Sequence, residues 1–166
     1  NRMVWSHGGH YYTLTSSAAS WTDAETQAQA LGGHLVTVND ATEQQWLSEV
    51  FGRFNNPWIG LTDQAVEGTW QWVSGEAATY NNWAAGEPQS VWWDPDYAYM
   101  DISGQWRTTT NGSSQRGIIE LSGADSDADG LPDVAALDPD PADSLNAWDL
   151  RAAGADNAFD TNDDVI

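Results

Sequence analysis

The sequence predicts an α+β domain with two helices, small antiparallel sheets and a long loop region, plus an extended acidic tail. Three observations support this prediction. Two helical patterns lie early in the chain, short strand patterns lie mostly later, and a long region rich in Gly, Pro, Asn and Trp interrupts them. The 166 residues suffice for one domain, predicted over residues 1–122, and an appendage over residues 123–166.

The two helices have clear start signals. Ser20 occupies an N-cap position with Asp23 three residues later, and the first helix is predicted over residues 21–30. Its apolar face consists of Trp21, Ala24, Ala28 and Leu31. Asp40 caps the second helix, with Glu43 in the capping-box position. The apolar face of the second helix consists of Trp46, Leu47, Val50 and Phe51.

Short runs of β-forming residues predict the sheets. The predicted strands are residues 10–14, 34–38, 58–61, 69–73, 97–102, 105–108 and 117–121. Residues 74–95 show no regular pattern, and a loop of this length is either functional or disordered. Its several Trp residues argue against disorder. We therefore predict an ordered, functional loop.

Composition excludes several classes of function. The chain carries 25 acidic and 5 basic residues, for a net charge of −20, so it lacks the basic face that nucleic-acid binding needs. It has no cysteine, which excludes disulfides and thiolate metal sites. No apolar run reaches the length needed for membrane insertion. The sequence does not start with a signal-peptide pattern, and Asn1 is not an initiator Met, so we expect a fragment of a larger multidomain protein.

Catalytic motifs are also lacking. The three His residues have no metal-ligand spacing, and neither a nucleophile elbow nor a glycine-rich phosphate loop occurs. Between Trp58 and Trp106, however, oxygen-bearing side chains recur among aromatic residues and glycines. Calcium takes oxygen ligands from carboxylates, amides and backbone carbonyls. The chain is therefore predicted to be a calcium-dependent binding module and not an enzyme.

Several short motifs identify a family. Over about residues 8–122 the chain resembles the C-type lectin-like domain, in a cysteine-free bacterial form. The resemblance rests on the order and spacing of Ser20-Trp21-Thr22-Asp23-Ala24-Glu25, Leu31-Gly32-Gly33-His34-Leu35, Trp58-Ile59-Gly60-Leu61, Glu67-Gly68-Thr69-Trp70-Gln71-Trp72, Asn82-Trp83, Gly86-Glu87-Pro88-Gln89, Gly104-Gln105-Trp106 and Ile118-Ile119-Glu120. The family usually carries disulfides. Here the aligned positions are apolar, and we expect Ala28 and Ile119 to replace one bridge by packing.

The resemblance implies a principal calcium site in the long loop that also binds sugar. Its ligands come from a triplet centred on proline, a later acid, and an Asn-Asp pair after a Trp. Glu87 and Gln89 match the triplet, with a cis bond expected before the proline, and Asp96 stands where the later acid belongs. The Asn-Asp pair is missing, because Arg107 and Thr108 follow the Trp.

Three readings of this departure remain open. Calcium still binds, through Glu87, Gln89, Asp96 and Asp94. Alternatively, Arg107 pairs with Glu87 or Asp96 and takes the place of the metal. In the third reading, only the fold remains.

The resemblance also implies an auxiliary calcium site, formed by two acids four residues apart after an apolar run. Asp63 and Glu67 have this spacing, and Asp96 or the backbone near Ser90 would complete the site. The alternative is that both acids are simply solvated in a turn.

The acidic tail predicts further calcium binding. Residues 123–166 hold 12 Asp, no Glu and one Arg. Acids alternate before a glycine as in the first half of an EF-hand loop, but the twelfth position is Ala136 instead of Glu. Residues 124–143 resemble a thrombospondin type 3 repeat, with candidate ligands Asp125, Asp127, Asp129, Asp133, Asp138 and Asp140. We expect this tail to be disordered in chelator.

Together these observations predict a Ca2+-dependent carbohydrate-binding module of a secreted or cell-surface bacterial protein, an adhesin. Its partner would be a cell-surface glycan or polysaccharide. The expected ligand contacts are Glu87, Gln89, Asp96 and Arg107, with Trp92, Trp93 or Tyr97 stacking on a sugar face. One alternative is recognition of a surface protein or another surface, including ice, with calcium only structural. A calcium-stiffened spacer is a third possibility.

Overall fold

A computed structural model describes residues 3–89 and 94–123 of the chain. The chain divides into two compact units, Asn1–Ser122 and Gly123–Ile166, of which the first contains nearly all described residues. The predicted tail ligands, from Asp125 to Asp140, lie outside the described residues. The described part contains no helix long and apolar enough to cross a membrane.

The first unit contains two helices and two four-stranded antiparallel sheets. In chain order the elements are β1 (Trp5–His7), β2 (His10–Leu14), α1 (Trp21–Gln29), β3 (His34–Leu35), α2 (Ala41–Phe51), β4 (Trp58–Thr62), β5 (Gln71–Trp72), β6 (Tyr97–Met100), β7 (Trp106–Thr109) and β8 (Ile118–Leu121). The strand order is β1-β2-β8-β3 in one sheet and β5-β4-β6-β7 in the other. The predicted fold class is confirmed.

Both helices begin as the sequence predicts. The Ser20 hydroxyl accepts a hydrogen bond from the Asp23 amide at 3.2 Å. The Asp40 carboxylate accepts from the amides of Thr42 and Glu43 at 2.8 and 2.9 Å. These bonds satisfy amide groups that a helix start leaves without an intrahelical partner.

The core combines aromatic and aliphatic side chains. Trp58 and Trp106 are completely buried, and so are Ala28 and Ile119, the pair expected from the resemblance to pack in place of a disulfide. The side-chain Oε1 of the buried Gln44 accepts a hydrogen bond from the Trp106 indole N–H at 2.7 Å. This polar contact links α2 to β7 inside the core, and no sequence pattern predicts it.

The strand predicted over residues 34–38 covers only His34–Leu35. The strand ends before Val36 because this residue connects the two sheets. Its amide donates to the Ile118 carbonyl of one sheet, and its carbonyl accepts from the Gly60 amide of the other. The predicted strand over residues 69–73 is likewise reduced to Gln71–Trp72. The sequence analysis missed β1, which pairs with β2.

The described part of the long loop is anchored on the core. The Trp106 amide donates to the Asn82 carbonyl at 2.9 Å, and the Trp106 carbonyl accepts from the Ala84 amide at 3.0 Å. The rings of Tyr80 and Trp83 lie 5.8 and 5.6 Å from the Trp106 ring in edge-on contacts. These contacts hold residues 80–84 against β7.

Candidate functional site

Three carboxylates converge where β4 ends and β6 begins. Asp63 directly follows β4 and Asp96 directly precedes β6. The two strands pair antiparallel, and the Asp63 amide donates to the Asp96 carbonyl at 3.2 Å. Glu67 lies on the turn that follows, and one carboxylate oxygen from each of the three residues lies within 4.8 Å of the others. We call Asp63, Glu67 and Asp96 the acidic cluster.

Asp63 is the buried member of the acidic cluster, with 4% of its surface exposed. Its Oδ2 accepts a hydrogen bond from the Gly68 amide at 2.9 Å. Its Oδ1 is buried without a hydrogen-bond partner among the described residues. Burial raises the pKa of the Asp63 carboxyl, the Gly68 hydrogen bond opposes this, and the negative charge of Asp94 raises it further.

The carboxyl of Asp96 is affected by burial and by neighbouring charges in the same way. Burial raises the pKa of the Asp96 carboxyl, and the charges of Asp94 and Asp63 raise it further. Asp94 itself is exposed and adopts a left-handed backbone with φ of 49°. A buried oxygen without a donor, among several like charges, is costly unless a cation neutralises it. Hard carboxylate oxygens are the ligands that calcium prefers, so the acidic cluster fits a calcium ion.

Glu87 and Gln89 lie on the long loop beside β7 and bond to Thr108. Glu87 Oε2 accepts from the Thr108 hydroxyl at 2.6 Å and from the Thr108 amide at 3.1 Å. Gln89 donates its side-chain amide to Glu87 Oε1 at 3.2 Å and its backbone amide to the Thr108 hydroxyl at 3.2 Å. The Glu87-Pro88 bond is cis, as expected. Both carboxylate oxygens of Glu87 therefore accept hydrogen bonds from the protein itself.

Arg107 pairs with Asp101, and not with Glu87 or Asp96 as one of the three open readings had it. The Arg107 Nε donates to Asp101 Oδ2 at 2.7 Å, and the arginine side chain stays 42% exposed. The tight connection between β6 and β7 brings these two residues together, with the Asp101 amide bonded to the Gln105 carbonyl. Burial opposes ionisation of Asp101, but hydrogen bonds from Ser103 and Arg107 outweigh it and lower the pKa of Asp101.

Two of the predicted sugar contacts lie elsewhere. Asp96 belongs to the acidic cluster, and within residues 3–89 and 94–123 Glu87 is part of no converging group of three His, Cys, Asp or Glu side chains. Tyr97 is 3% exposed and packs its ring 4.9 Å from that of Trp21, because β6 directs it into the core. The expectation that Tyr97 stacks on a sugar is therefore wrong. Trp92, Trp93 and Ser90 lie outside the described residues.

The long loop does not fit a calcium ion as the acidic cluster does. Calcium takes six to eight oxygen ligands. Beside Thr108, the described loop residues offer one carboxylate, from Glu87, and one amide oxygen, from Gln89. The other candidate carboxylate of the loop, Asp94, is exposed and acts on the pKa values of Asp63 and Asp96. Arg107 has no acceptor atom, and the Thr108 hydroxyl directs its proton to Glu87.

The sequence analysis missed Asp101 as the partner of Arg107 and Thr108 as the partner of Glu87. Asp101 precedes Ser103-Gly104 in a tight turn, a pattern typical of an aspartate that caps its own turn, so a local signal existed. The Thr108 contact had no such signal, because 21 residues separate it from Glu87.

Comparisons with known proteins agree with this geometry. Residues 17–118 match the family described as "Lectin C-type domain". The hepatic lectin of Gallus gallus is 34% identical over 102 residues, which are 59% of this chain and 48% of that protein, so the chain spans about half the length of this relative.

Solved structures show the same fold. The carbohydrate-recognition domain of the mouse scavenger receptor C-type lectin is similar with a TM-score of 0.66 and 30% identity, over 70% of this chain and 91% of that one. The carbohydrate-recognition domain of cow CD23, determined in the presence of a GlcNAc2Man3 oligosaccharide, gives a TM-score of 0.68 and 26% identity, over 73% of this chain and 95% of that one.

Proposed function

The chain belongs to the C-type lectin domain family, and from this premise we propose that it binds carbohydrate in a calcium-dependent manner. The observation that carries the calcium requirement is the acidic cluster, in which a buried Asp63 oxygen lacks a donor among the described residues. The carbohydrate assignment is supported by the hepatic lectin and by the two carbohydrate-recognition domains of similar fold.

In this proposal Asp63, Glu67 and Asp96 would hold the calcium ion. The ion would supply positive charge that neutralises their mutual repulsion. Asp63 and Asp96 are already joined by a backbone hydrogen bond of 3.2 Å, and Asp63 holds the turn through its bond to Gly68. Neutralising the acidic cluster would therefore stabilise residues 94–96, which connect the long loop to β6.

The sugar would bind on the long loop beside β7. Glu87 is half-buried, Gln89 is exposed, and the Arg107 side chain is 42% exposed, so acceptors and donors face solvent together. Trp92 and Trp93, next along the loop, remain the proposed stacking residues for the apolar face of a pyranose. The charges of Glu87, Asp101 and Arg107 sum to about −1, which favours a neutral sugar over an anionic one.

The wider setting is part of the same proposal. We infer that the domain is a non-catalytic recognition module of a secreted or cell-surface bacterial protein, such as an adhesin, and that residues 123–166 form a second calcium-binding segment. The strong negative charge and the many Asp residues of that segment support this inference.

A glycan array tests the function. The full chain is applied in millimolar calcium and, in parallel, in chelator. We expect binding to a defined set of neutral glycans in calcium and its loss in chelator. No binding in calcium to any glycan would refute the carbohydrate assignment, and equal binding in both conditions would refute the calcium requirement.

A further inference from the structure

We propose that the long loop recognises its sugar directly, without a calcium ion at Glu87, and that calcium acts only from the acidic cluster. The sugar part of this inference rests on the proposed carbohydrate function. The calcium part rests on the hydrogen bonds of the loop alone. In the family the resemblance implies the opposite arrangement, in which the principal ion lies in this loop and binds the sugar.

The first argument is the hydrogen bonding of Glu87. Thr108 donates two hydrogen bonds to Glu87 Oε2, at 2.6 and 3.1 Å, and Gln89 donates one to Oε1 at 3.2 Å. Thr108 is 6% exposed, so water does not easily replace the two hydrogen bonds that it donates. A carboxylate with this many donors is already stabilised as an anion and gains little from a metal.

The second argument is the loss of two ligands. The resemblance places an amide and a carboxylate after Trp106, where this chain has Arg107 and Thr108. A guanidinium carries only donors, and its positive charge opposes the approach of a divalent ion. Through its bond to Asp101, at 2.7 Å, the Arg107 side chain is held in place beside the loop.

The third argument is the contrast with the acidic cluster in the same molecule. There a buried Asp63 oxygen has no donor among the described residues, and a second and a third carboxylate oxygen lie within 4.8 Å. At Glu87 both carboxylate oxygens have donors, and within the described part of the chain Glu87 belongs to no group of three His, Cys, Asp or Glu side chains whose ligand atoms converge. A single ion for the described domain is therefore assigned to the acidic cluster.

The same geometry gives the loop a direct way to bind sugar hydroxyls. Glu87 offers acceptor capacity, while Gln89 offers both a donor and an acceptor. Arg107 uses its Nε for Asp101 and carries further N–H groups on a side chain that is 42% exposed. A neutral sugar with adjacent hydroxyl groups suits this alternation of donors and acceptors.

Counting bound calcium on the full chain tests the proposal. Equilibrium dialysis would compare the wild type with Asp63→Asn, Glu87→Gln, and the double variant Arg107→Asn/Thr108→Asp, with Glu49→Gln as the matched control. Glu49 is exposed on α2 and accepts one hydrogen bond, from the Gln45 side chain, which the carbonyl oxygen of a glutamine can still accept, so the replacement mainly removes the charge. All variants carry the same acidic tail, so differences between them report on the described domain.

We expect Asp63→Asn to lose one calcium, and Glu87→Gln and Glu49→Gln to keep the wild-type number. The double variant restores the family's pair and should gain one calcium. Loss of a calcium in Glu87→Gln would overturn the metal-free loop. An unchanged number in the double variant would overturn the role assigned to Arg107 and Thr108.

Affinity for the sugar identified on the array is measured in parallel at saturating calcium. We expect Glu87→Gln to weaken binding about tenfold or more, because a hydrogen bond to a charged group is lost, while Glu49→Gln binds normally. Wild-type affinity in Glu87→Gln would overturn direct recognition. If the wild type bound no glycan, the carbohydrate function and the sugar contacts would fail together, whereas the calcium counts would still decide whether the loop holds an ion.

Discussion

Asp63→Asn provides a sharp test of the acidic cluster, because its effect should differ in sign with and without calcium. Asp63 is 4% exposed and shares the cluster with two other carboxylates. Without calcium its negative charge is a cost, so the neutral amide should leave the fold as stable or more stable. The new amide N–H groups can also donate to the carboxylates of Asp96 and Glu67. With calcium, the variant should lose the stabilisation that the ion gives the wild type.

The magnitude follows from ligand linkage. Extracellular calcium modules bind with dissociation constants of about 10⁻⁴ to 10⁻³ M. At about 10 mM calcium, such affinities stabilise the folded state by roughly 1.4–2.7 kcal/mol. A domain of about 120 residues unfolds with an entropy of roughly 250 cal/mol/K, so the melting temperature should rise by about 5–11 °C. Asp63→Asn should lose most of this rise.

Thermal unfolding followed by tryptophan fluorescence measures this difference, in calcium and in chelator. Glu49→Gln should keep the wild-type rise. The reasoning would be refuted if Asp63→Asn kept the rise in full, or if the wild type showed none. A variant that was markedly less stable than the wild type in chelator would also contradict the cost assigned to the buried charge.

Three further predictions follow from the same structure. The pKa values of Asp63 and Asp96 are raised in the folded state, so the folded state binds protons more tightly than the unfolded state. The free energy of unfolding in chelator should therefore fall as pH rises from the ordinary carboxyl range through the raised pKa values. The calcium-induced rise in melting temperature should grow over the same window, since protons compete with the ion, and should be small and flat in Asp63→Asn. Gln44→Leu leaves the buried Trp106 indole N–H without its acceptor and should lower the free energy of unfolding in urea by about 1–3 kcal/mol. The control Gln45→Leu replaces an exposed residue and should lower it by about 0.5 kcal/mol or less. Equal unfolding midpoints for the two variants would contradict the role of the buried hydrogen bond. Gly60→Ala would place a methyl group against the Leu35 carbonyl and the Val73 side chain, so it should cost about 1–3 kcal/mol, while Gly112→Ala, whose nearest neighbour would be 3.6 Å away, should be nearly neutral in the same assay.

Local features of the fold could be predicted from the sequence because local chemistry determines them. Ser20 and Asp40 cap their helices through bonds to residues two or three positions away, and such spacing is visible in a sequence. The strand over residues 34–38 was predicted too long, because Val36 bridges two sheets. That bridge depends on Ile118 and Gly60, which are distant in the chain.

The candidate site was predicted only in part, for the same reason. The spacing of Asp63 and Glu67 indicates two members of the acidic cluster, whereas the sequence left the third open between Asp96 and the backbone near Ser90. The adjacency of Asp96 follows from the pairing of β4 with β6. Its position after Trp106 identified Arg107 as a residue of the candidate site, but its partner, Asp101, is brought beside it by the turn between β6 and β7. The buried Asp63 oxygen, which has no donor among residues 3–89 and 94–123, has no sequence signature, because burial of a single atom depends on the whole surrounding fold.

Calcium-dependent sugar binding governed by the acidic cluster is tested most directly by calorimetric titration of the preferred neutral glycan into the full chain. The titration would be made with wild type and Asp63→Asn, each in calcium and in chelator. We predict binding by the wild type in calcium, and weak or no binding in the other three conditions. Equal affinity in all four conditions would contradict it, because the acidic cluster would then have no part in recognition.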